Sequence, residues 1–162
     1  MIQIRAAEIN DVPSITEIYN EAVLNTTATF DTKIKTLDNR IEWFNQHGAQ
    51  HPVLVAIVKG EVAAWASLSR WSDRAAYDTT AEESVYVSKE FRNKGIGKQL
   101  LKAIVAEGAR TGKVNLIARI TTDNESSIHI HHECGFTDVG VLTKVGNKFG
   151  RYLDVLMMQK LF

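Results

Sequence analysis

The sequence lacks the features that mark secreted, membrane-spanning or nucleic-acid-binding proteins. Its single cysteine, Cys134, excludes an internal disulfide and favours a reducing compartment. No apolar run approaches the ~20 residues of a membrane-spanning helix, and the first residues lack the apolar core of a signal peptide. Lysine plus arginine and aspartate plus glutamate number 19 each, so no excess of positive charge attracts nucleic acid. We expect a cytoplasmic protein that has no nucleic-acid or membrane partner.

What the chain does have is enough apolar residues for one core. It contains 162 residues, of which 44% are hydrophobic, and this predicts a single domain over residues 1–162. Hydrophobic periodicity predicts strands at residues 2–5, 52–58, 62–68, 82–87, 114–121, about 139–145, and 151–158. It predicts helices from about residue 12, at 36–48, at 95–111 and at 124–134. The resulting order, β-α-α-β-β-β-α-β-α-β-β, indicates an α/β (α+β) fold with a mixed sheet covered by helices.

A glycine-containing loop between a strand and the longest helix predicts an anion site. Its residues, in order, are Arg92, Asn93, Lys94, Gly95, Ile96, Gly97 and Lys98. A helix start exposes unpaired backbone N–H groups and the positive end of the helix dipole, and glycine lets a phosphate approach closely. The spacing matches neither Gly-x-x-x-x-Gly-Lys-Ser/Thr nor Gly-x-Gly-x-x-Gly, which argues against a P-loop and a dinucleotide fold.

This Arg-x-x-Gly-x-Gly segment resembles the acetyl-CoA signature of the GNAT N-acetyltransferases. Four further segments look like the phosphinothricin, methionine sulfoximine and methionine sulfone acetyltransferases within that superfamily: residues 19–23, Thr29-Phe30, residues 82–87 and residues 145–151. The resemblance covers nearly the whole chain. It implies a mostly antiparallel GNAT-like sheet, acetyl-CoA as acetyl donor without a metal, a small amine as acceptor, and a homodimer.

The resemblance places the general base at Glu82. An amine attacks a thioester only as the free base, so a carboxylate with a pKa raised towards neutral suits the role, directly or through one water. Glu82 and Glu83 are neighbours on a strand and point to opposite faces, with Ser84 and Tyr86 on the face of Glu82. Without the resemblance, two solvated carboxylates at a strand end are the simpler interpretation, and a bulge could exchange the faces.

Further residues receive roles from the resemblance. The backbone of Val85, Tyr86 and Val87 is expected to bind the pantetheine arm, as an added strand binds a sheet edge. Asn124 is expected to contact that arm and also to cap a helix. Where many GNAT enzymes carry tyrosine near the thioester sulfur, this chain has His131, which could donate to the leaving thiolate or to the oxyanion.

Substrate recognition is assigned to aromatic and basic residues in irregular segments. Phe30 and Tyr77 could line a side-chain pocket, and Arg74 could hold a carboxylate, with Glu82 close by. The alternatives are that Arg74 is an ordinary surface charge and that the aromatic residues form a small hydrophobic cluster beside the main core. Residues 148–151 could line the site, form a dimer contact or be a solvated hairpin tip.

Two other chemistries receive little support from the sequence. Neighbouring histidines lack a complete ligand set, so no metal site is expected. Cys134 before a glycine is more typical of a buried small residue than of a nucleophile.

The function predicted from the sequence is therefore direct acetyl transfer to an amino-acid-like amine. Two alternatives remain: acetylation of a protein N-terminus or lysine, and non-enzymatic sensing of acyl-CoA.

Overall fold

Seven strands and four helices follow one another in the order that the sequence predicts. The computed structural model describes all residues from Met1 to Phe162. The strands are β1 (Ile2–Ala6), β2 (Val53–Val58), β3 (Glu61–Arg70), β4 (Thr80–Val87), β5 (Asn115–Thr121), β6 (Thr137–Lys148) and β7 (Arg151–Leu161). The helices are α1 (Val12–Asn25), α2 (Leu37–Asn45), α3 (Ile96–Arg110) and α4 (Glu125–Glu133). None of the helices is long and apolar enough to cross a membrane.

All seven strands belong to one sheet, in the order β1-β2-β3-β4-β5-β7-β6. Every neighbouring pair is antiparallel except β4 and β5, which confirms the prediction of a mixed, mostly antiparallel sheet. The parallel pair is short, because only residues 80–82 of β4 have partners on β5, and the last pair is Glu82 with Ile117. Beyond that point β4 stays paired with β3 and β5 with β7, so β4 has one unpaired edge.

The sheet separates two hydrophobic cores. On one face, the apolar stripe of α3, including the fully buried Leu100 and Ile104, packs against the sheet. On the other face, α1 packs over Trp65 with its own buried residues. Because the β3–β4 register has no irregularity, successive β4 residues alternate between these cores, and Val85 and Tyr86 pack on opposite sides. This places Glu82 and Glu83 on opposite faces, as predicted.

Two helices start with a side-chain cap, and the cap at Asn124 was predicted from the sequence. The Thr36 hydroxyl accepts from the backbone N–H of Asn39 at the start of α2 (3.1 Å), and the Asn124 side chain accepts from Ser127 at the start of α4 (3.3 Å). The Asp11 side chain, by contrast, does not cap α1. Its carboxylate accepts instead from Arg5 and from the backbone N–H of Glu8.

The C-terminal hairpin differs from the prediction of a five-residue turn at 146–150. Residues 146–148 instead pair with residues 151–153, and only Phe149 and Gly150 turn. Both have positive φ (53° and 74°), as tight hairpin turns require. Two register irregularities within β6 absorb its extra residues, and periodicity alone does not reveal such shifts.

Candidate active site

The start of α3 presents a run of backbone donors without protein acceptors. None of the backbone N–H groups of residues 92–98 donates a hydrogen bond within the protein, and Gln99 is the first that does, to the Gly95 carbonyl (3.2 Å). Gly95 precedes the helix with a φ of 78°, and no side chain caps it. The start of α3 therefore has seven consecutive unpaired N–H groups near the positive end of a helix dipole, which is the donor set that the predicted anion site requires.

The cationic side chains of this loop are engaged by the protein. Arg92 pairs with Glu21 of α1 and donates to the Val87 carbonyl (3.1 Å), Lys94 donates to the Glu90 carbonyl (2.9 Å), and Lys98 pairs with Glu133 (3.0 Å). Arg92 thus fixes the loop against β4 and α1. The backbone N–H groups of residues 92–98, by contrast, have no partner within the protein.

A cavity of about 280 Å³ opens where β4 and β5 separate. Among the predicted site residues, it brings together Phe30, Glu82, Val85, Tyr86, Asn124 and His131. Glu83, Arg119 and Ser127 also line it. The unpaired edge of β4 and the start of α4 therefore line the same cavity. The loop after α1 (residues 26–36) lines a third side of it.

The loop after α1 is tied across the separated strands. Thr27 donates to Asp123 (3.0 Å), and the Tyr86 hydroxyl donates to the Ala28 carbonyl (3.3 Å). The buried Lys148 donates to the Thr29 carbonyl (2.8 Å). These contacts come from β4, from β6 and from the turn between β5 and α4, so they fix the position of Phe30 next to the cavity.

Glu82 forms a two-point ion pair with Arg119 of β5. Nε and Nη2 of Arg119 donate to Oε1 and Oε2 of Glu82 at 2.8 and 2.9 Å. Burial raises the pKa of Glu82 above its ordinary value, although the charge and hydrogen bonds of Arg119 oppose this. Arg119 is not among the residues predicted from the sequence. The available signal was a charged residue between the apolar residues Ala118 and Ile120 of β5.

Glu83 and His131 form a second ion pair, which is almost completely buried. His131 Nε2 lies 2.6 Å from Glu83 Oε1, and His131 Nδ1 lies 2.6 Å from the Ser127 carbonyl. Burial lowers the pKa of His131, but the Glu83 carboxylate more than offsets this and raises it above its ordinary value. A carbonyl and an ionised carboxylate only accept hydrogen bonds, so both nitrogens donate when the ring is protonated.

The match to known proteins agrees with this geometry. Residues 14–136 match the model of the acetyltransferase (GNAT) family. This chain belongs to the GNAT acetyltransferases.

It is 40% identical to an L-methionine sulfoximine/L-methionine sulfone acetyltransferase of Salmonella typhimurium, over 96% of the chain and 92% of that protein. Among solved structures, a phosphinothricin acetyltransferase from Sinorhizobium meliloti in complex with acetyl-CoA superposes with a TM-score of 0.96. It is 37% identical, and the match covers 99% of this chain and 88% of that one. A ribosomal-protein-alanine N-acetyltransferase from Brucella melitensis superposes with a TM-score of 0.95 at 39% identity, covering 99% of both chains.

Two predicted substrate residues of this acetyltransferase lie outside the cavity lining. Arg74 is exposed and precedes a single 3₁₀ turn at Ala75–Tyr77, and Tyr77 is 45% exposed. Lys148 was predicted at the site, at a dimer contact or at a solvated hairpin tip. Lys148 is buried beneath the loop after α1, which excludes a solvated position for its side chain, and Arg151 pairs with Asp123 (2.9 Å).

The structure also bears on the metal and cysteine alternatives. No group of three or more His, Cys, Asp or Glu side chains is arranged to hold a metal ion. His129 and His132 instead lie next to Glu133 and Asp138, respectively. Burial raises the pKa of the Cys134 thiol, which makes it a poorer nucleophile.

A larger cavity of about 830 Å³ lies between β1, the end of α2 and α3. The two arginines that line it are already paired, Arg5 with Asp11 and Arg110 with Glu107. It lacks the unpaired strand edge and the buried Glu83–His131 pair of the smaller cavity, so the smaller cavity is the candidate active site.

Proposed function

We propose that this enzyme transfers the acetyl group of acetyl-CoA to the α-amino group of a small amino acid. Methionine sulfoximine, methionine sulfone and phosphinothricin, which all have a tetrahedral sulfur or phosphorus in the side chain, are the candidate acceptors. The observation that carries the proposal is the continuity of three features along β4 and α3. Unpaired backbone donors at 92–98 lead to an unpaired strand edge, which leads to a cavity containing a carboxylate.

The donor set fits acetyl-CoA. Seven backbone N–H groups at a helix start suit a diphosphate, and the free edge of β4 at 85–87 suits the amide groups of pantetheine. Asn124, at the start of α4, lines the same cavity as Val85 and Tyr86, which supports its proposed contact with the pantetheine arm. Bound there, acetyl-CoA supplies an acyl carbon activated by a thioester.

Glu82 acts as the general base. Its carboxylate takes a proton from the substrate ammonium, directly or through one water, and the raised pKa of Glu82 makes it a better acceptor than a solvated glutamate. Phe30 and the other residues of the loop after α1 line the side of the cavity that faces the acceptor. The roles of Arg74 and Tyr77 in holding the substrate remain predictions from the family resemblance.

His131 supplies a fixed positive charge beside the reacting groups. Both of its nitrogens already have acceptors, so it cannot give a proton to the leaving thiolate without losing the bond to Glu83 or to Ser127. The geometry therefore favours electrostatic stabilisation of the developing negative charge over proton donation.

The test is an assay of CoA release, read as free thiol, across a panel of amino acids, their analogues and simple amines. Turnover with amino acids supports the proposal, and the absence of turnover with every small amine contradicts it. A second candidate is a protein N-terminus, because of the likeness to the ribosomal-protein-alanine acetyltransferase. Incubating cell extract with labelled acetyl-CoA separates the two, since label in proteins favours the second candidate and label in metabolites the first.

We also propose that the enzyme works in the cytoplasm as a homodimer. The edge strand β6 exposes several apolar side chains, including Val139, Val141 and Val145, which are 52 to 59% exposed. A long apolar sheet edge favours pairing with a second copy. Light scattering after size exclusion tests this, because a dimer mass that falls to the monomer mass in Val141→Glu supports β6 as the interface.

A further inference from the structure

Arg119 is the only lysine or arginine that lines the candidate active site. It lies on β5 beyond the last residue that pairs with β4, and it reaches across the separation to Glu82. The ring of Trp71 lies 5.8 Å from its guanidinium carbon. Its side chain is still 55% exposed, so a ligand in the cavity can reach it.

The ion pair with Glu82 uses only one edge of the guanidinium. A guanidinium has five N–H groups, and Glu82 accepts from Nε and from one N–H of Nη2. Neither N–H of Nη1 has a protein acceptor, and the second N–H of Nη2 has none either. The Nη1–Nη2 edge is therefore a free fork, with the geometry that binds a carboxylate through two parallel hydrogen bonds.

We propose that this free edge of Arg119 binds the α-carboxylate of the acceptor amino acid. The inference rests on the proposed function, because it concerns the acceptor of that same reaction. The carboxylate and the ammonium of an α-amino acid are bonded to the same carbon. A carboxylate held by one edge of Arg119 therefore sets the ammonium next to Glu82, which is held by the other edge.

Arg119 meets the requirements for this role better than Arg74 does. Arg74 is exposed, lies outside the cavity lining, and is placed by a turn in which its backbone N–H donates to Ser72 (3.3 Å). Arg119 is in the lining and is already oriented by a bidentate contact to the proposed base. The acceptor class that follows is an amino acid with a free α-carboxylate, and simple amines and amino-acid amides are excluded as good substrates.

The experiment compares free amino acids with their α-amides in the CoA-release assay. The probes are methionine sulfone, methionine sulfoximine and phosphinothricin, each in both forms, at a pH on the upper plateau of the pH profile. We expect Arg119→Gln to lower kcat/KM for the free amino acids by roughly 10- to 100-fold, mostly through KM, while kcat/KM for the amides changes by less than about threefold. Arg119→Lys should retain part of the preference for the free acid, since it keeps the charge but not the fork.

Two controls separate the outcomes. Arg110→Gln removes an exposed, ion-paired arginine on α3 and should leave both kinetic constants unchanged. The inference would be overturned if Arg74→Gln lost the preference for the free acid and Arg119→Gln kept it. It would also be overturned if Arg119→Gln lowered kcat/KM equally for the free acids and the amides. If the unaltered enzyme acetylates no small amine, the proposed function itself is wrong, whereas turnover without a carboxylate preference contradicts the Arg119 inference alone.

Discussion

His131 and Glu83 lie 48 residues apart in the sequence, yet their side chains meet at 2.6 Å with only 4% of each exposed. The pair connects α4 to β4 at the back of the cavity. Oε2 of Glu83 is buried and has no hydrogen-bond partner. A buried pair of this kind keeps the histidine charged in a place where burial alone would keep it neutral.

Glu83→Gln should lower the pKa of His131 and destabilise the fold by about 2 kcal/mol below neutral pH. In the native protein the pKa of His131 is raised above its ordinary value, so its stabilisation is fully present below the unfolded-state pKa. That stabilisation is lost as the pH rises through the folded-state pKa. Urea unfolding should therefore show a larger difference between the two proteins at about pH 6 than at about pH 9. Titration of the His131 ring by NMR measures the pKa directly.

Asp138→Asn is the matched control for this pair. It removes the partner of His132, which lies on the same helix at 2.7 Å but is about half exposed. Exposed pairs contribute little, so this variant should lose less than about 1 kcal/mol. Equal losses in both variants, or an unchanged His131 pKa in Glu83→Gln, would contradict the role given to Glu83.

Gly146→Ala should weaken binding of the acceptor amine without affecting acetyl-CoA. The ring of Phe30 lies against Gly146, and a methyl group there would be 2.7 Å from two of its ring carbons. Carbon atoms do not approach so closely, so Phe30 has to move away from its place beside the cavity. We expect KM for the acceptor to rise about tenfold, the equivalent of 1.4 kcal/mol, while calorimetry gives an unaltered Kd for acetyl-CoA.

Gly140→Ala provides the comparison on the same strand. Nothing lies within 4 Å of a methyl group at Gly140, and neither glycine has a positive φ. Both variants carry the same chemical change on β6. The interpretation of Phe30 as an acceptor-side residue fails if Gly140→Ala raises KM as much as Gly146→Ala does.

Glu82→Gln should lower turnover about 100-fold and leave the affinity for acetyl-CoA nearly unchanged. The ionised carboxylate is the active form of the base, so kcat/KM of the native enzyme should fall as the pH falls through the raised pKa of Glu82. Removing Arg119 takes away the charge that opposes this rise, so the acid limb should move to higher pH in Arg119→Gln. Stopped-flow or thiol assays over a pH series measure both effects, and an unchanged turnover in Glu82→Gln would remove Glu82 from the role of base.

The local features of this fold could be predicted because each is encoded in a short segment. The buried stripe of α3, the caps at Thr36 and Asn124 and the donors before α3 depend on residues within a few positions of one another. The alternation that separates Glu82 from Glu83 is also local, and it holds because β4 has no bulge.

The features that could not be predicted depend on distant parts of the chain. The point where β4 and β5 separate, after Glu82 and Ile117, involves two strands that are distant in the sequence, and no residue near Glu82 marks it. The partners of Glu82 and Glu83 lie 37 and 48 residues away. Likewise, the local sequence around Lys148 is compatible with a solvated turn. Its burial beneath the loop after α1 depends on the pairing of β6 with β7 and on a contact with Thr29, which is distant in the sequence.

Gly95→Ala should weaken acetyl-CoA binding, with Gly112→Ala as a control at the other end of the same helix. The two glycines have almost equal left-handed φ values, 78° and 77°, and nothing of the protein lies within 4 Å of a methyl group at either. The backbone strain should therefore cost each variant about 1 kcal/mol of stability. Gly95 lies within the run of unpaired N–H groups, whereas the N–H of Gly112 donates to the Ala109 carbonyl, so only Gly95→Ala should raise the Kd for acetyl-CoA, by about tenfold. Thermal unfolding measures the shared cost and isothermal titration measures the difference, and equal affinities in the two variants would mean that the diphosphate does not lie on this helix start.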